Sequence, residues 1–492
     1  MITSIDLIDR VLDAGSWRSW DRPPAEPPTG DPSYAALLAR ARDRTGLDES
    51  VLTGQGTIGG RAVAVVASEF GFLAGSVGLA ASARVVAAVE RATAAGLPLL
   101  ASPASGGTRL QEGTRAFVKM AGIAAALAAH RSAGLPYLVY LRNPTTGGVL
   151  ASWGSLGHVT AAEPGALVGL LGPRVHRAIY GRELPDGVQQ AENLHAHGLI
   201  DAVLPPEDLR DVAMRVLSVL SGEVTDAAGD GPPAEPPPAP AGEPGWEAVE
   251  RSRRPGRPGV RALLKLAASE VTLLSGTGTG EHDAALVLAL ARFGRAPCVV
   301  LGQDRRGHAD DVVLGPAGLR EAMRGMRIAA ELGLPLVTVV DTPGAPPTPQ
   351  AEEGGLAGGI ALCLAELLTL RSPTVCVLLG QGGGGTALAL LPADRVLVAR
   401  HAWLAPLPPE GAAEILYGSP DRAPEVFAAQ RIGAADLVRD GIADRVVEER
   451  PDAADEPAAF VRRVGAALQE DLLTLLSEDP AARLAARSAR YR

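Results

Sequence analysis

Hydrophobic positions along this chain follow two alternating rhythms. Apolar runs of about four to eight residues, rich in Val, Leu and Ala, break into glycines, and stretches with apolar positions three and four apart follow them. Runs of the first kind predict strands buried on both faces, and stretches of the second kind predict amphipathic helices. Together they predict βα units of a parallel sheet. In the first half the strands fall over Arg61–Ser68, Leu97–Ala101 and Leu135–Leu141, with a further apolar run over Ala166–Leu171. Helices fall over Ala80–Ala95, residues 114–133 and Gln189–His197, and another begins near Gly148. Residues 1–20 predict a short amphipathic helix, Asp21–Pro32 an extended Pro-rich segment, and the chain after Arg450 one or two helices.

The pattern is written twice. Gly333-Leu-Pro335 repeats Gly96-Leu-Pro98, Ser372-Pro373 repeats Leu135-Pro136 and Gly384-Gly385 repeats Gly147-Gly148, each 237 residues later. Each half closes on a similar phrase, Gly198-Leu-Ile-Asp-Ala-Val and Gly441-Ile-Ala-Asp-Arg-Val, 243 residues apart. Several anchors holding one offset predict a duplicated domain with a pair of similar sites. Between the halves, Gly222–Gly245 is Pro-rich and has no apolar period, which predicts a linker.

The glycines fix what those sites could do. At strand ends they let a ligand approach the backbone, and helix N-termini after them carry N–H groups without intrahelical partners. The arrangement suggests nests of amide donors, with no side-chain base among them. Glu352 and Glu353 are adjacent and face differently on a helix. His195 and His197, two apart on a helix, face apart as well, so no metal site is expected. Asp341-Thr-Pro-Gly-Ala345 lacks the glycine–lysine phosphate loop of nucleotide hydrolases.

Composition narrows the classes further. The formal charge of −10 argues against general nucleic-acid binding, and Lys119 and Lys265 are the only lysines. Cys298, Cys363 and Cys376 lack ligand spacing and read as reduced, buried thiols of a cytoplasmic protein. Asp6 and Asp9 interrupt any signal-peptide core, and no apolar run is long enough to predict a membrane span.

Ser105-Gly-Gly-Thr-Arg-Leu-Gln-Glu-Gly113, Pro144-Thr-Thr-Gly-Gly148 and the segment Ala162–Arg174 resemble the β subunit of acetyl-CoA carboxylase carboxyltransferase. Asp341-Thr-Pro-Gly-Ala345, Ala351-Glu-Glu353, Gly380–Gly385 and Pro409–Leu416 resemble its α subunit. The resemblance spans about residues 50 to 450 and implies an α/β chain of two tandem crotonase-like domains. They would cover residues 50–221 and 246–450, joined by the linker 222–245 and flanked by an N-terminal extension (1–49) and a helical tail (451–492). The family's β subunits carry a four-cysteine zinc ribbon. This chain has no cysteine before Cys298, so no zinc is expected.

The activity the resemblance implies is transfer of a carboxyl group from carboxybiotin, delivered on a carrier protein, to acetyl-CoA, giving malonyl-CoA for fatty-acid or polyketide synthesis. Gly107 and Gly148 would donate N–H groups to the thioester, with Ser105, Gly106, Arg109, Gly147 and Arg174 contacting the acyl-CoA. Gly344 and Gly385 would serve the biotin ureido oxygen, with Pro343, Ala345, Gly384 and Thr386 around it. The implied partners are a biotin carboxylase, a biotin carboxyl carrier protein and a second copy of the chain in a homodimer. The sequence itself has no Met-Lys-Met biotinylation site. Three departures lie in the second half: Thr386 stands where the family has glycine, Gln303-Asp-Arg-Arg-Gly307 replaces a lysine-containing loop, and Gly354-Gly-Leu356 follows the glutamate pair. They keep two rival readings open, a carboxyltransferase or decarboxylase for another acyl group, and a non-catalytic acyl-CoA-binding paralogue.

Overall fold

The computed structural model describes residues 2–24, 31–224, 245–306, 313–346 and 348–492. Most of the expected linker, residues 225–244, lies outside them. The chain divides into two units, Met1–Leu217 with Gly278–Glu281, and Ser218–Thr277 with His282–Arg492.

The first unit is built on a seven-stranded sheet. Strands β1 (Arg18–Ser19), β2 (Val51–Ile58) and β3 (Arg61–Ser68) are antiparallel neighbours. β4 (Leu99–Ser102), β5 (Tyr137–Leu141), β7 (Val159–Ala162) and β9 (Ala202–Val203) then continue from β3 in parallel. A separate two-stranded piece pairs β6 (Thr145–Thr146) with β8 (Val168–Gly169). Helices α3 (Leu79–Ala94) and α4 (Gly113–Ser132) are the long crossovers, as the periodicity predicts. β5 is buried along its whole length, which is why it reads as an unbroken apolar run and not as an alternating one.

Two helices lie at the N-terminal end of this unit. The helix expected over residues 1–20 is confined to α1 (Ser4–Val11). Residues 25–30 of the expected Pro-rich segment Asp21–Pro32 lie outside the described residues, and α2 (Pro32–Thr45) is capped by Asp31 and ended by Gly46 in the left-handed region at φ 69°. Few apolar residues mark α2, because it buries only Tyr34, Leu38 and Ala41 among its arginines.

The second unit repeats the plan. β10 (Ser269–Leu274), β11 (Leu286–Phe293) and β12 (Ala296–Gln303) are antiparallel neighbours. β13 (Leu336–Thr342), β14 (Thr374–Gly383), β15 (Arg395–Ala399) and β17 (Arg445–Val447) continue in parallel, with β16 (Trp403–Ala405) added to the end of β14. The duplication extends to register. Leu99 lies opposite Tyr137 in the first unit, and Leu336 lies opposite Thr374 in the second, both pairs displaced by the same 237 residues.

The C-terminal helices close the second unit through a buried ion pair. Arg487 donates to Asp394 at 2.8 and 2.6 Å and to the carbonyls of Leu367, Leu370 and Ser372. Asp394 in turn accepts the N–H of Thr374, the first residue of β14. Removing this guanidinium takes the two short bonds from the buried carboxylate and leaves it Arg483 at 3.5 Å, so Arg487→Met should lower the stability of this unit by about 3 kcal/mol in urea unfolding. A loss under about 1 kcal/mol would mean that the C-terminal helix does not anchor β14.

Candidate active site

In the first unit two glycine turns meet backbone to backbone. The chain leaves β4 and folds sharply at Ser105, whose hydroxyl donates to the Gly75 carbonyl at 2.6 Å and accepts the Gly107 N–H at 3.0 Å. Gly106 donates its N–H to the Ala74 carbonyl. Gly107 has φ 105°, a conformation that disfavours any β-carbon. The second turn follows β6, where Gly147 has φ 67° and donates to the Leu170 carbonyl. It opens α5 (Gly147–Val149), and Gly148, as second residue, has no intrahelical acceptor. A β-carbon on Gly147 would lie 3.2 Å from the Gly107 Cα, and one on Gly107 would lie 3.5 Å from the Gly148 nitrogen. Closeness favours glycine at 147, and the positive φ favours it at both positions.

The free donors differ from those expected. Gly107 was expected to offer its N–H, but Ser105 already holds it. Thr108 offers one instead. Its neighbours bond to Val77, through the Gly107 carbonyl and the Arg109 N–H, so the Thr108 N–H points the other way. Among the described residues it has no acceptor, and neither has the Gly148 N–H. The Thr108 hydroxyl stands 3.1 Å from where a Gly148 β-carbon would be, so the two donors are neighbours. The Ser-x-Gly spacing, in which a hydroxyl bonds the amide two residues on, is the sequence signal that could have moved the assignment from Gly107 to Thr108.

The second unit holds the same construction. The Thr342 hydroxyl accepts the Gly344 N–H at 3.2 Å, as Ser105 does for Gly107, and donates to the Gly344 carbonyl. Gly344 has φ 149° and Gly384 φ 67°. A β-carbon on Gly383 would strike the Pro343 carbonyl, so this turn too needs glycine for closeness. Gly385 is the second residue of the helix Gly384–Leu388. Its N–H and that of Ala345 have no acceptor among the described residues. Gln303 ties the turns together, accepting the Asp341 N–H at 3.0 Å and donating to the Thr386 carbonyl at 2.9 Å. Asp341 is fixed by Arg305 at 2.6 Å and by the Gln381 N–H. The residues that differ from the family loop therefore support the turn from behind.

Four of the expected ligand contacts are corrected, three by burial and that of Gly106 by a backbone hydrogen bond. Arg109 is 1% exposed, paired with Glu49 at 2.5 Å, bonded to Ser76 and lying over the Phe72 ring. No part of its charge reaches a phosphate in solvent. Ser105 is fully buried and shapes the turn. Gly106 has its N–H engaged. Thr386 is buried with its hydroxyl unbonded, so its side chain faces the interior and leaves only backbone for a ligand. Arg174 is exposed at the start of α6 (Pro173–Tyr180), free for an anion. Behind the first turn, Glu112 accepts the Tyr34 hydroxyl and the Leu79 N–H. Burial, and then the bond to Glu112, push the Tyr34 phenol up to about 12, so it stays a donor at neutral pH.

A model of the carboxyl transferase domain matches residues 3–478. The chain belongs to the carboxyl transferase domain family. It is 57% identical to a Mycobacterium tuberculosis protein named as a probable biotin-dependent acyl-coenzyme A carboxylase β3 subunit, over 100% of this chain and 98% of that one. It is 40% identical to the acetyl-coenzyme A carboxylase carboxyl transferase subunits beta/alpha of Salinispora arenicola, over 98% and 89%. Among solved structures, transcarboxylase 12S with methylmalonyl-coenzyme A bound shares the fold at a TM-score of 0.76 and 21% identity, covering 97% of this chain and 90% of that one. In this family member no described helix is long and apolar enough to cross a membrane. No cluster of three His, Cys, Asp or Glu able to hold a metal occurs among the described residues.

The unbonded Thr386 hydroxyl costs stability, because a buried polar group without a partner loses its hydration for nothing. Thr386→Val should therefore raise stability by about 1 kcal/mol in urea unfolding, with the Gly385 turn intact. A comparable loss would show that the hydroxyl is bonded in solution.

Proposed function

We propose that this chain is the carboxyltransferase component of a biotin-dependent acyl-CoA carboxylase, with acetyl-CoA as substrate and malonyl-CoA as product. The observation that carries this reading is the pair of free amides in each unit, Thr108 with Gly148 and Ala345 with Gly385, built by equivalent residues at one offset. Two neighbouring free donors suit an oxygen that gains charge, the thioester oxygen of an enolate in one unit and a ureido oxygen in the other. Each such donor is worth about 3–4 kcal/mol. The likeness to named acyl-CoA and acetyl-CoA carboxylase subunits supports the substrate class.

The residues divide the work as follows. Thr108 and Gly148 bind the thioester oxygen and lower the cost of removing the α-proton. Ser105 and Gln303 hold the turns so that no reorganisation is needed as charge develops. Ala345 and Gly385 would hold the ureido oxygen of a biotin on its carrier, which when bound as carboxybiotin would supply the carbon dioxide and a basic nitrogen for the α-proton. No side-chain base is required of the chain. Arg174 is the cation for the CoA phosphates. Carboxybiotin would be loaded by a separate biotin carboxylase and carrier.

Two crotonase-like domains, at 50–221 and 246–450, would form this site across a homodimer. Beside each pair of turns a helix carries an exposed apolar face, with Phe117 and Val118 on α4 and Leu362 on the helix Leu356–Thr369. Such faces suit burial against a second copy, and a twofold dimer would contain two cross-chain sites.

The test is malonyl-CoA-dependent carboxylation of free biotin by the purified chain. Gly148→Pro and Gly385→Pro, each removing one donor, should be inactive as folded homodimers. Co-expressed, they should recover roughly a quarter of normal activity, because half the dimers are mixed and each mixed dimer keeps one intact site. Activity in either mutant alone overturns the amide mechanism. Mixed dimers without activity overturn the cross-chain site, and a folded wild type without exchange favours the non-catalytic paralogue.

A further inference from the structure

The first unit contains a cavity of about 590 Å³ whose walls come from the N-terminal segment, α2, β2, α3 and the start of α4. It has the size of a small-molecule site. Its walls do not match the rest of the molecule in charge. Six arginines and two glutamates line it, whereas the whole chain carries a net charge of −10. Both glutamates are engaged, Glu49 with Arg109 and Glu112 with the Tyr34 hydroxyl and the Leu79 N–H. Arg84 is held by Asp21 and Asp48. Arg22, Arg91 and Arg115 have no carboxylate partner among the described residues, and Arg91 lies 4.5 Å from the centre of the Trp20 ring. Unpaired guanidinium groups around a recess favour an anion.

The remaining wall is apolar. α3 presents Ala80, Ala83 and Ala87 to the cavity, and Leu38, Leu79 and Trp20 complete that side. Alanine at three successive positions three and four apart is what leaves the volume open, because any larger side chain there would fill it. A surface meant only to pack α2 on α3 would carry those larger side chains and would not need three free cations.

We propose that this cavity is a second ligand site, taking a small organic anion with an apolar body. The carboxylate or phosphate head meets Arg22, Arg91 and Arg115, and the apolar body lies along the alanine face of α3. Arg109 and Glu112 also line the cavity, one and four residues after Thr108 in the chain. An occupant would therefore touch the side chains that back the acyl-side turn, and its binding would be coupled to that turn through Arg109.

Calorimetry on the full-length protein with octanoate, octyl phosphate and 1-octanol tests this. At least one of the two anions should bind saturably, one per chain, with affinity falling as salt rises, and the alcohol should bind at least tenfold more weakly. Comparing the two anions distinguishes a carboxylate from a phosphate site. Ala83→Trp, which fills the cavity, should abolish binding while CoA still binds, and the double variant Arg22→Ala/Arg115→Ala should weaken it at least tenfold. The double variant decides the matter if Ala83→Trp does not fold. Absence of saturable anion binding, or binding unchanged in the double variant, overturns the proposal. Displacement of the anion by adenosine 3′,5′-bisphosphate, or loss of CoA binding in Ala83→Trp, also overturns it, because the cavity would then belong to the acyl-CoA site.

Discussion

The structure of each unit depends on one contact, the approach of two glycine backbones at the ends of adjacent parallel strands. In the first unit Gly147 and Gly107 come so close that a β-carbon on Gly147 would lie 3.2 Å from the Gly107 Cα, and both glycines have positive φ. That contact places the start of α5 against the Thr108 turn and leaves two neighbouring N–H groups without acceptors among the described residues. An unpaired donor at a protein surface is ordinary. Two adjacent ones, fixed by hydroxyl clamps at Ser105 and flanked by left-handed glycines, form a binding feature that costs little further ordering when a ligand oxygen arrives.

Much of the supporting structure serves that contact from behind. In the first unit a buried cluster of Glu49, Arg109, Glu112 and Tyr34 ties the turn to α2, to β2 and to the N-terminus of α3. In the second unit Gln303, Arg305 and Asp341 do the same with different chemistry. The duplicated units thus keep the turns and vary the supports. This explains why the motif residues recur at an offset of 237 while the charged residues around them do not.

The fold was legible where burial leaves a rhythm. β3, α3, α4 and β5 are two-sided strands or long amphipathic helices, and their periods survive in the sequence. α2 was not legible, because its contacts are a tyrosine hydroxyl and three buried positions among arginines. β2 was missed for another reason. It is the antiparallel partner of β3, and its Gly54 and Gly56 pack under Trp17 and Leu12, so the strand lacks the apolar density of its neighbours. At the site, glycine positions were readable from the repeat. Which amides are free was not, because that depends on whether a hydroxyl two residues away turns inward, as Ser105 does to Gly107 and Thr342 to Gly344. Arg109 shows the same limit. Its place in the motif suggested a phosphate ligand, and only its burial against Glu49 and Phe72 shows a structural cation.

The central claim is that backbone amides, with no side-chain base, hold the developing charge on the thioester. A crystal structure of the protein with a non-hydrolysable acetyl-CoA analogue tests it most directly. The account predicts the carbonyl oxygen of the analogue about 2.7–3.1 Å from the nitrogens of both Thr108 and Gly148. An oxygen bound instead by a side chain, or lying beyond hydrogen-bond distance of both nitrogens, would contradict it.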